Sequence, residues 1–464
     1  MIRSIFTGVS GMRNHQARMD VIGNNIANVN TSGFKYSRVA FADKVSQLIS
    51  PSTAPGGSID RGGVNLKQVG LGMSVATVDT VNTQGTIQTT GKVTDLALQG
   101  NGYFVMQDGP QRYYTRNGGF DFDRNGNLVA PGSGLKVMGY QSVERKDQAG
   151  EPYREIDQAA PIREVKVPSG SFIPPRKTTE VVFSGNLDQR ITTTAPVNAN
   201  DPPNYFETST DVFDSLGTSH VVTFRFTHTA AGEWTWNVIN NDPTYVDPAS
   251  GNPRAPLMKP ATAPNPSDNK LVFGANGLLV DRPPPSATPG IRYDAGSVEI
   301  GWKLPSGDIA STTIIPNFGS EGKPEGVTQF ATASTAVSTD QNGFPRGDLT
   351  GITIDKSGLV SGVYSNGRQQ LLAQMAIATF ANPGGLQKEG DNIFIKSNNS
   401  GDAVVRPPGL GDAGTLISGA LENSNVDLAE QFADMITTQR GFQASSRVIT
   451  TSDEVLQELL NLKR

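Results

Sequence analysis

Apolar residues recur every seventh position at the two ends of this chain and every second position through much of its middle. From Leu428 the heptad column reads Leu428, Met435, Phe442, Ile449 and Leu456, all apolar. The column four residues on, Phe432, Gln439, Ser446, Asp453 and Leu460, is apolar only at its ends. One full seam beside one half-polar seam predicts a helix that must pack against something. At the other end Ile5, Met12, Met19 and Ile26 also step by seven and offer the answering face. Periodicity alone leaves open whether these are ordinary core helices, a closed dimeric coiled coil or parts of a larger assembly.

The N-terminal pattern predicts a helix over 2–28, weakened by Gly8, Gly11 and Gly23 at roughly 1 kcal/mol each relative to alanine. The backbone entropy of ordering it exceeds what its few large apolar side chains return on burial, so it needs neighbours. The helix should end in NNIANVNTSGFK, residues 24–35. There Asn28, Asn30, Thr31 and Ser32 compete for backbone hydrogen bonds, and Gly33 supplies a positive φ. Phe34 and Phe41 are anchors in an irregular linker expected over 29–90, within which 50–63 reads as an exposed loop.

The alternating middle predicts β structure. TDLALQGNGYFV (94–105) holds an apolar strand, an Asn-Gly turn and a second strand through Tyr103, Phe104 and Val105. YTRNGGFDFDRNGNLV (114–129) alternates Phe120 and Phe122 with polar positions before a turn at Asn125-Gly126. A matching unit lies downstream, with turns at Asn342-Gly343, Ser357-Gly358 and Asn366-Gly367 and strands around Ile352, Val360 and Met375 to Phe380. Residues 91–176 and 326–424 are therefore expected to pair as one middle β domain, with 177–325 inserted as an outer β domain. The outer domain's clearest hairpin sets Val222, Phe224 and Phe226 against Trp234, Trp236 and Val238. Stretches 194–204, 242–269 and 282–290 are rich in Pro, Asn and Ser and read as loops. The predicted class is mainly β, with nested β domains between helical termini at 1–28 and 425–464.

Composition agrees. Among 464 residues are 51 Gly and 30 Pro, with 36% apolar and 18% charged, as expected of many short strands and tight turns. A net charge of −5 leaves no basic surplus for phosphates, which argues against nucleic acid as a partner. There is no cysteine, which excludes disulfides and thiolate metal sites. The N-terminus lacks the pattern of a cleaved secretory signal, and no apolar run approaches the ~20 residues that span a bilayer. No membrane insertion is expected, and any export would use an uncleaved signal.

Catalytic chemistry is not found. The three histidines are His15, His220 and His228; the last two read as surface positions of a strand rather than metal ligands. Asp121, Asp123, Asn125 and Gly126 open like a calcium loop, but position twelve is Gly132 where a bidentate Glu is required. A hairpin turn is the better reading. Phosphate-loop, dinucleotide and nucleophile-elbow motifs are lacking, so no catalytic, cofactor or metal residue is assigned. A carbohydrate-binding or enzymatic β protein, using the Trp234 and Trp236 face, stands as the alternative.

The residues say more than their patterning. ANVNTSGFK (27–35) and QRGFQASSRVI (439–449) together resemble the signature ends of bacterial flagellar rod and hook proteins. TDLALQGNGYFV and YTRNGGFDFDRNGNLV are similar to that family's middle-domain motifs, and DVFDSLGTSHVVTF (211–224) to its hook-type outer-domain entry. The distal rod protein is similar but much shorter, so the insert of about 150 residues favours the hook branch.

The resemblance implies a subunit of a curved tube that transmits torque from rod to filament, its terminal helices lining a coiled-coil-like inner tube. It implies self-association into a helical homopolymer, with the distal rod, the hook cap, the hook–filament junction proteins and the flagellar type III export apparatus as partners. The location implied is the hook, extracellular, or periplasmic if the flagellum is internal. The assembly residues it points to are Ile5, Met12, Met19, Ile26, Asn28, Asn30, Gly33, Phe34, Leu428, Phe432, Met435, Phe442, Ile449, Leu456 and Leu460. A cysteine-derived cross-link of the kind some spirochaete hook proteins form lies outside this chain's chemistry. A distal rod subunit is the second reading.

Overall fold

In the computed structural model the terminal heptads are two long helices, α1 (Ile2–Ala27) and α2 (Leu428–Leu462). The structure describes residues 2–54, 62–146, 152–168, 170–195, 203–239, 245–246, 269–280, 298–303 and 309–462. α1 ends within the Asn-rich stretch, where the Asn28 side chain donates back to the carbonyl of Asn24 at 2.9 Å. α2 starts at an aspartate cap, with Asp427 Oδ1 accepting from the Ala429 amide at 2.8 Å. The chain divides into two compact units, one formed by 1–169, 351–363 and 369–464, the other by 170–350 with 364–368.

The first unit holds both helices. Residues 29–90 are not the irregular linker expected from the sequence. Ser37–Asp43 pairs antiparallel with Met73–Thr80, and Ser46–Ser50 with Lys67–Gly70. Ile87–Thr89 pairs with Ala420–Glu422. Strand alternation fails to announce itself here because few of these side chains have a core face to point at: Val45, Leu48, Ile49, Val64, Leu66 and Val69 are all exposed. Of the loop expected over 50–63, residues 55–61 lie outside the described residues.

The first unit's β body is built on Tyr103–Asp108, which pairs with Gln111–Thr115, Lys136–Lys146 and Ile377–Thr379. Tyr103, Val105, Tyr114, Met138, Phe380 and Phe394 fill its core. Leu96–Gln99, which precedes the Asn101-Gly102 turn, pairs with Thr415–Ser418. The calcium-like loop is a turn whose carboxylate is already used. Asp123 Oδ1 accepts from the Asn125 amide at 2.8 Å and the Asn127 amide at 2.7 Å, and Gly126 adopts φ +80. Asp355 makes the same turn with Ser357 and Leu359.

The second unit is a pair of sheets around an aromatic core. Tyr205–Phe213, Ser219–Ala230, Glu233–Ile239 and Lys270–Val272 form one sheet. The other centres on Glu180–Asp188, flanked in parallel by Ile309–Asn317 and Val327–Phe330 and in antiparallel by Val337–Gln341. The expected boundary at 325/326 therefore cuts through this sheet. The strands after it pair with 180–188, and long-range pairing of this kind leaves no local mark in the sequence. The predicted shared face of the hairpin holds, with Phe224 opposite Val238, Phe226 opposite Trp236 and His228 opposite Trp234.

Two further expectations are corrected in this unit. Trp234 and Trp236 are fully buried among Phe183, Phe224, Phe226 and Phe318, so neither ring offers a face to a sugar. His220 and His228 are buried rather than on the surface. They share the inward side of their strand with Val222, Phe224 and Phe226, stacking on Trp302 at 4.5 Å and on Trp234 at 4.7 Å. Period-two parity required this, since all five positions are even-numbered.

Candidate functional site

α1 and α2 pack antiparallel within the first unit. Ser4 and Ser452 hydroxyls share a hydrogen bond at 3.1 Å, Arg18 Nη2 donates to Asp434 Oδ2 at 2.8 Å, and Asn25 Nδ2 donates to Gln431 Oε1 at 2.9 Å. Gly8 lies against Ile449 and Ser445, Gly11 against Ser445, and Gly441 against the His15 ring. The facing column of α2 is thus Gln431, Thr438, Ser445 and Ser452, a heptad of small and polar residues. Among these Gln431, Thr438 and Ser452 are buried.

This corrects the expected seam. The apolar column from Leu428 runs beside this polar line and meets it at Ile449, which lies against Gly8. Met435, Phe442, Ile449 and Leu456 are half-buried, as are Ile5, Met12, Met19 and Ile26 on α1. Leu428, Phe432 and Leu460 are exposed. So are Phe6 at 67% and Ile436 at 52%, which the heptad reading left out. Ile436 could have been found by stepping in fours from Leu428 through Phe432, the spacing of one helical face. Close approach needs small residues, and the line of contact supplies them as Gly8 and Gly11 on α1 and Gly441, Ser445 and Ser452 on α2.

The two helices are rooted at one buried cluster. Gly33 adopts φ +71, and a Cβ added to it would sit 2.7 Å from the backbone of Arg116 and Asn117. Its amide donates to the Glu422 carbonyl at 2.7 Å. Phe34 is buried beneath the Lys388 ammonium, 5.5 Å from its ring centroid. Lys35 Nζ donates to Glu422 Oε1 at 2.6 Å and to the Thr83 carbonyl at 2.6 Å. Arg116 Nη1 stands 3.7 Å from Glu422 Oε2. Asn425 receives the Tyr36 amide at 2.9 Å and donates to the Val81 carbonyl at 2.9 Å.

Burial pushes the Lys35 ammonium below a lysine's ordinary pKa; Glu422 pulls it back up and Arg116 pushes it further down. Of the predicted residues, Gly33 and Phe34 belong to this root, Asn28 caps the helix end above it and Asn30 is exposed in the turn. Lys35, Arg116, Glu422 and Asn425 were not anticipated, because a buried ion pair between residues 387 positions apart has no sequence signature. Among the described residues no group of three metal-ligating side chains occurs, and no helix is long and apolar enough to cross a membrane.

Four family models match the chain in order. Residues 5–35 match the flagella basal body rod protein and 97–184 the flagellar hook protein D1 domain. Residues 186–344 match the flagellar basal body protein D2 domain, and 417–462 the flagellar basal body rod protein C-terminal region. The flagellar hook protein of Treponema pallidum is 40% identical over 475 residues, covering all of both chains. That of Borreliella burgdorferi is 38% identical over 473 residues, again covering both chains entirely. The chain belongs to the flagellar hook protein family.

It is a structural subunit of the bacterial flagellar hook. A basal-body rod protein from Bacillus subtilis is also similar, at 30% identity over 465 residues and all of both chains. Length by itself therefore does not separate hook from rod proteins, contrary to the expectation drawn from the insert, whereas the higher identities fall on hook proteins. For a hook subunit the apolar residues left open on the helical hairpin are the relevant surface. Each of the two matched end regions overlaps the buried root: 5–35 carries Gly33, Phe34 and Lys35, and 417–462 carries Glu422 and Asn425.

Proposed function

We propose that the subunit polymerises through the outer faces of α1 and α2 into the curved, flexible tube that joins rod to filament and carries torque between them. The observation behind this is the division of labour on the hairpin. Its inner seam is closed at Gly8, Gly11, Gly441 and Ser445 and by the Ser4–Ser452, Arg18–Asp434 and Asn25–Gln431 pairs, while Phe6, Phe432, Ile436, Val448, Val455 and Leu460 face outward exposed. A helix pair normally hides such residues in its own core. Each is already about half covered, so burial under helices of neighbouring copies would return on the order of 1 kcal/mol per residue. Head-to-tail contacts that do not close on themselves build an open helical polymer.

The family resemblance extends the proposal to the distal rod, hook cap and hook–filament junction proteins as end-to-end partners. It also extends to export of the unfolded chain by the flagellar type III apparatus. Exchanging Phe432 for Asp tests the core of the reading. The monomer should keep its thermal midpoint, since the side chain is exposed, while sedimentable tubes disappear in electron microscopy. Normal tubes from Phe432→Asp would overturn it; straight tubes from the wild-type chain would favour the rod reading.

A further inference from the structure

Both arms of the chain reach the β body of the first unit at one buried carboxylate. Glu422 Oε1 accepts from Lys35 Nζ at 2.6 Å and from the Gly85 amide at 2.8 Å. Its Oε2 is buried with no hydrogen bond, the Arg116 guanidinium standing off at 3.7 Å. The Lys35, Glu422 and Arg116 side chains are 1%, 0% and 5% exposed. These groups come from four separate stretches: the tail of α1, the 81–85 loop, the middle strands and the approach to α2.

A buried cation without its counter-ion is far more costly than the intact pair is stabilising. Without the C-terminal stretch, Lys35 would have to enter this site beside Arg116 with only the Thr83 carbonyl to receive it. Without the N-terminal stretch, Glu422 keeps only the distant Arg116 and the Gly85 amide. We propose that Glu422 is a latch: docking of the N-terminal arm is conditional on arrival of the C-terminal arm, so α1 and α2 take root together. The latch acts within one subunit and does not depend on how copies contact each other. It sets when a subunit's arms become rigid, whichever end emerges first. The backbone is threaded to match, since the Gly33 amide bonds to the Glu422 carbonyl at 2.7 Å and the Asn423 amide to the Thr86 carbonyl at 2.8 Å.

Hydrogen exchange on the full-length monomer tests this with Glu422→Gln, Lys35→Met and the double variant. Glu422→Gln keeps the size of the side chain and an acceptor oxygen, but strands two cations. Exchange should quicken at least tenfold at Gly33 and Gly85 as well as at Asn423. Adding Lys35→Met removes one stranded cation, so the double variant should exchange more slowly than Glu422→Gln alone. Faster exchange in the double variant, or loosening confined to 420–426, would overturn the latch. Should Glu422→Gln fail to fold, Lys35→Met alone decides: it must quicken exchange at Asn423, and wild-type protection there overturns the proposal.

Discussion

The imidazole of His15 occupies the space that a side chain at position 441 would need. A Cβ built on Gly441 would lie 2.7 Å from both Cε1 and Nε2 of the ring. α1 and α2 are therefore held together at a point where neither helix can add an atom.

The glycines of the two helices should divide by this criterion. Gly441→Ala must displace the His15 ring and should lower the thermal midpoint of the monomer. Gly11→Ala should act likewise, because its Cβ would meet Ser445 Oγ at 2.7 Å. Gly23 has nothing within 4 Å, so Gly23→Ala should stabilise α1 by roughly 0.5–1 kcal/mol through the backbone term alone. Circular dichroism melts of the three variants check the order; a destabilised Gly23→Ala would contradict it.

His15 should make the hairpin sensitive to mild acid. Its Nδ1 is buried without a hydrogen-bond partner, and its ring meets Phe41 edge-on at 5.8 Å. Burial, and next the Arg18 guanidinium, hold its pKa below a histidine's ordinary value. The charge acting on it is Arg18, itself paired with Asp434 of α2, and the strand side presents the Phe41 ring. The unfolded chain takes up a proton near pH 6.5, before the folded one does. This contribution is thus complete above that pH, falls as pH drops through the window below it, and levels off once both forms are protonated. The melting midpoint of wild type should fall more steeply than that of His15→Gln between those limits. Parallel profiles would show that His15 is not the group responsible.

Gly33 should resist substitution more than a left-handed glycine that borders open space. Gly33→Ala adds about 1–3 kcal/mol of backbone strain and drives a methyl into the Arg116–Asn117 peptide. Gly91 has a similar φ of +78 but nothing within 4 Å, so Gly91→Ala should bear the strain alone. Urea midpoints of the two variants should separate accordingly; equal losses would mean that the close approach costs nothing.

Much of this architecture can be read without coordinates. The heptads place helices at both ends, the first ending in the Asn-rich stretch and the second carrying the column from Leu428. Asp followed by glycine three residues later marks tight turns at 123 and 355, because the carboxylate and the left-handed glycine are local requirements. The hairpin of 219–239 and its facing aromatics follow from alternation. Parity even contained the burial of His220 and His228, although a histidine's polarity pointed the other way.

What the tertiary structure alone decided is which faces meet. Periodicity identifies an apolar stripe on α1 and on α2 but says nothing about its partner. The stripes run beside a line of Gly, Ser and hydrogen-bonded polar residues and touch it where Ile449 meets Gly8, because close packing of two helices selects small residues at the points of nearest approach. The ribbon around 37–80 hid for a related reason: Val39 is buried, but Val45, Leu48, Val64, Leu66, Val69, Leu71 and Val78 are exposed, so apolar residues do not mark a core face. The bond between Lys35 and Glu422 joins positions brought together only by the completed fold. Local rules of turn, cap and alternation reside in the sequence, whereas the pairing of distant surfaces is settled by the packing of the whole.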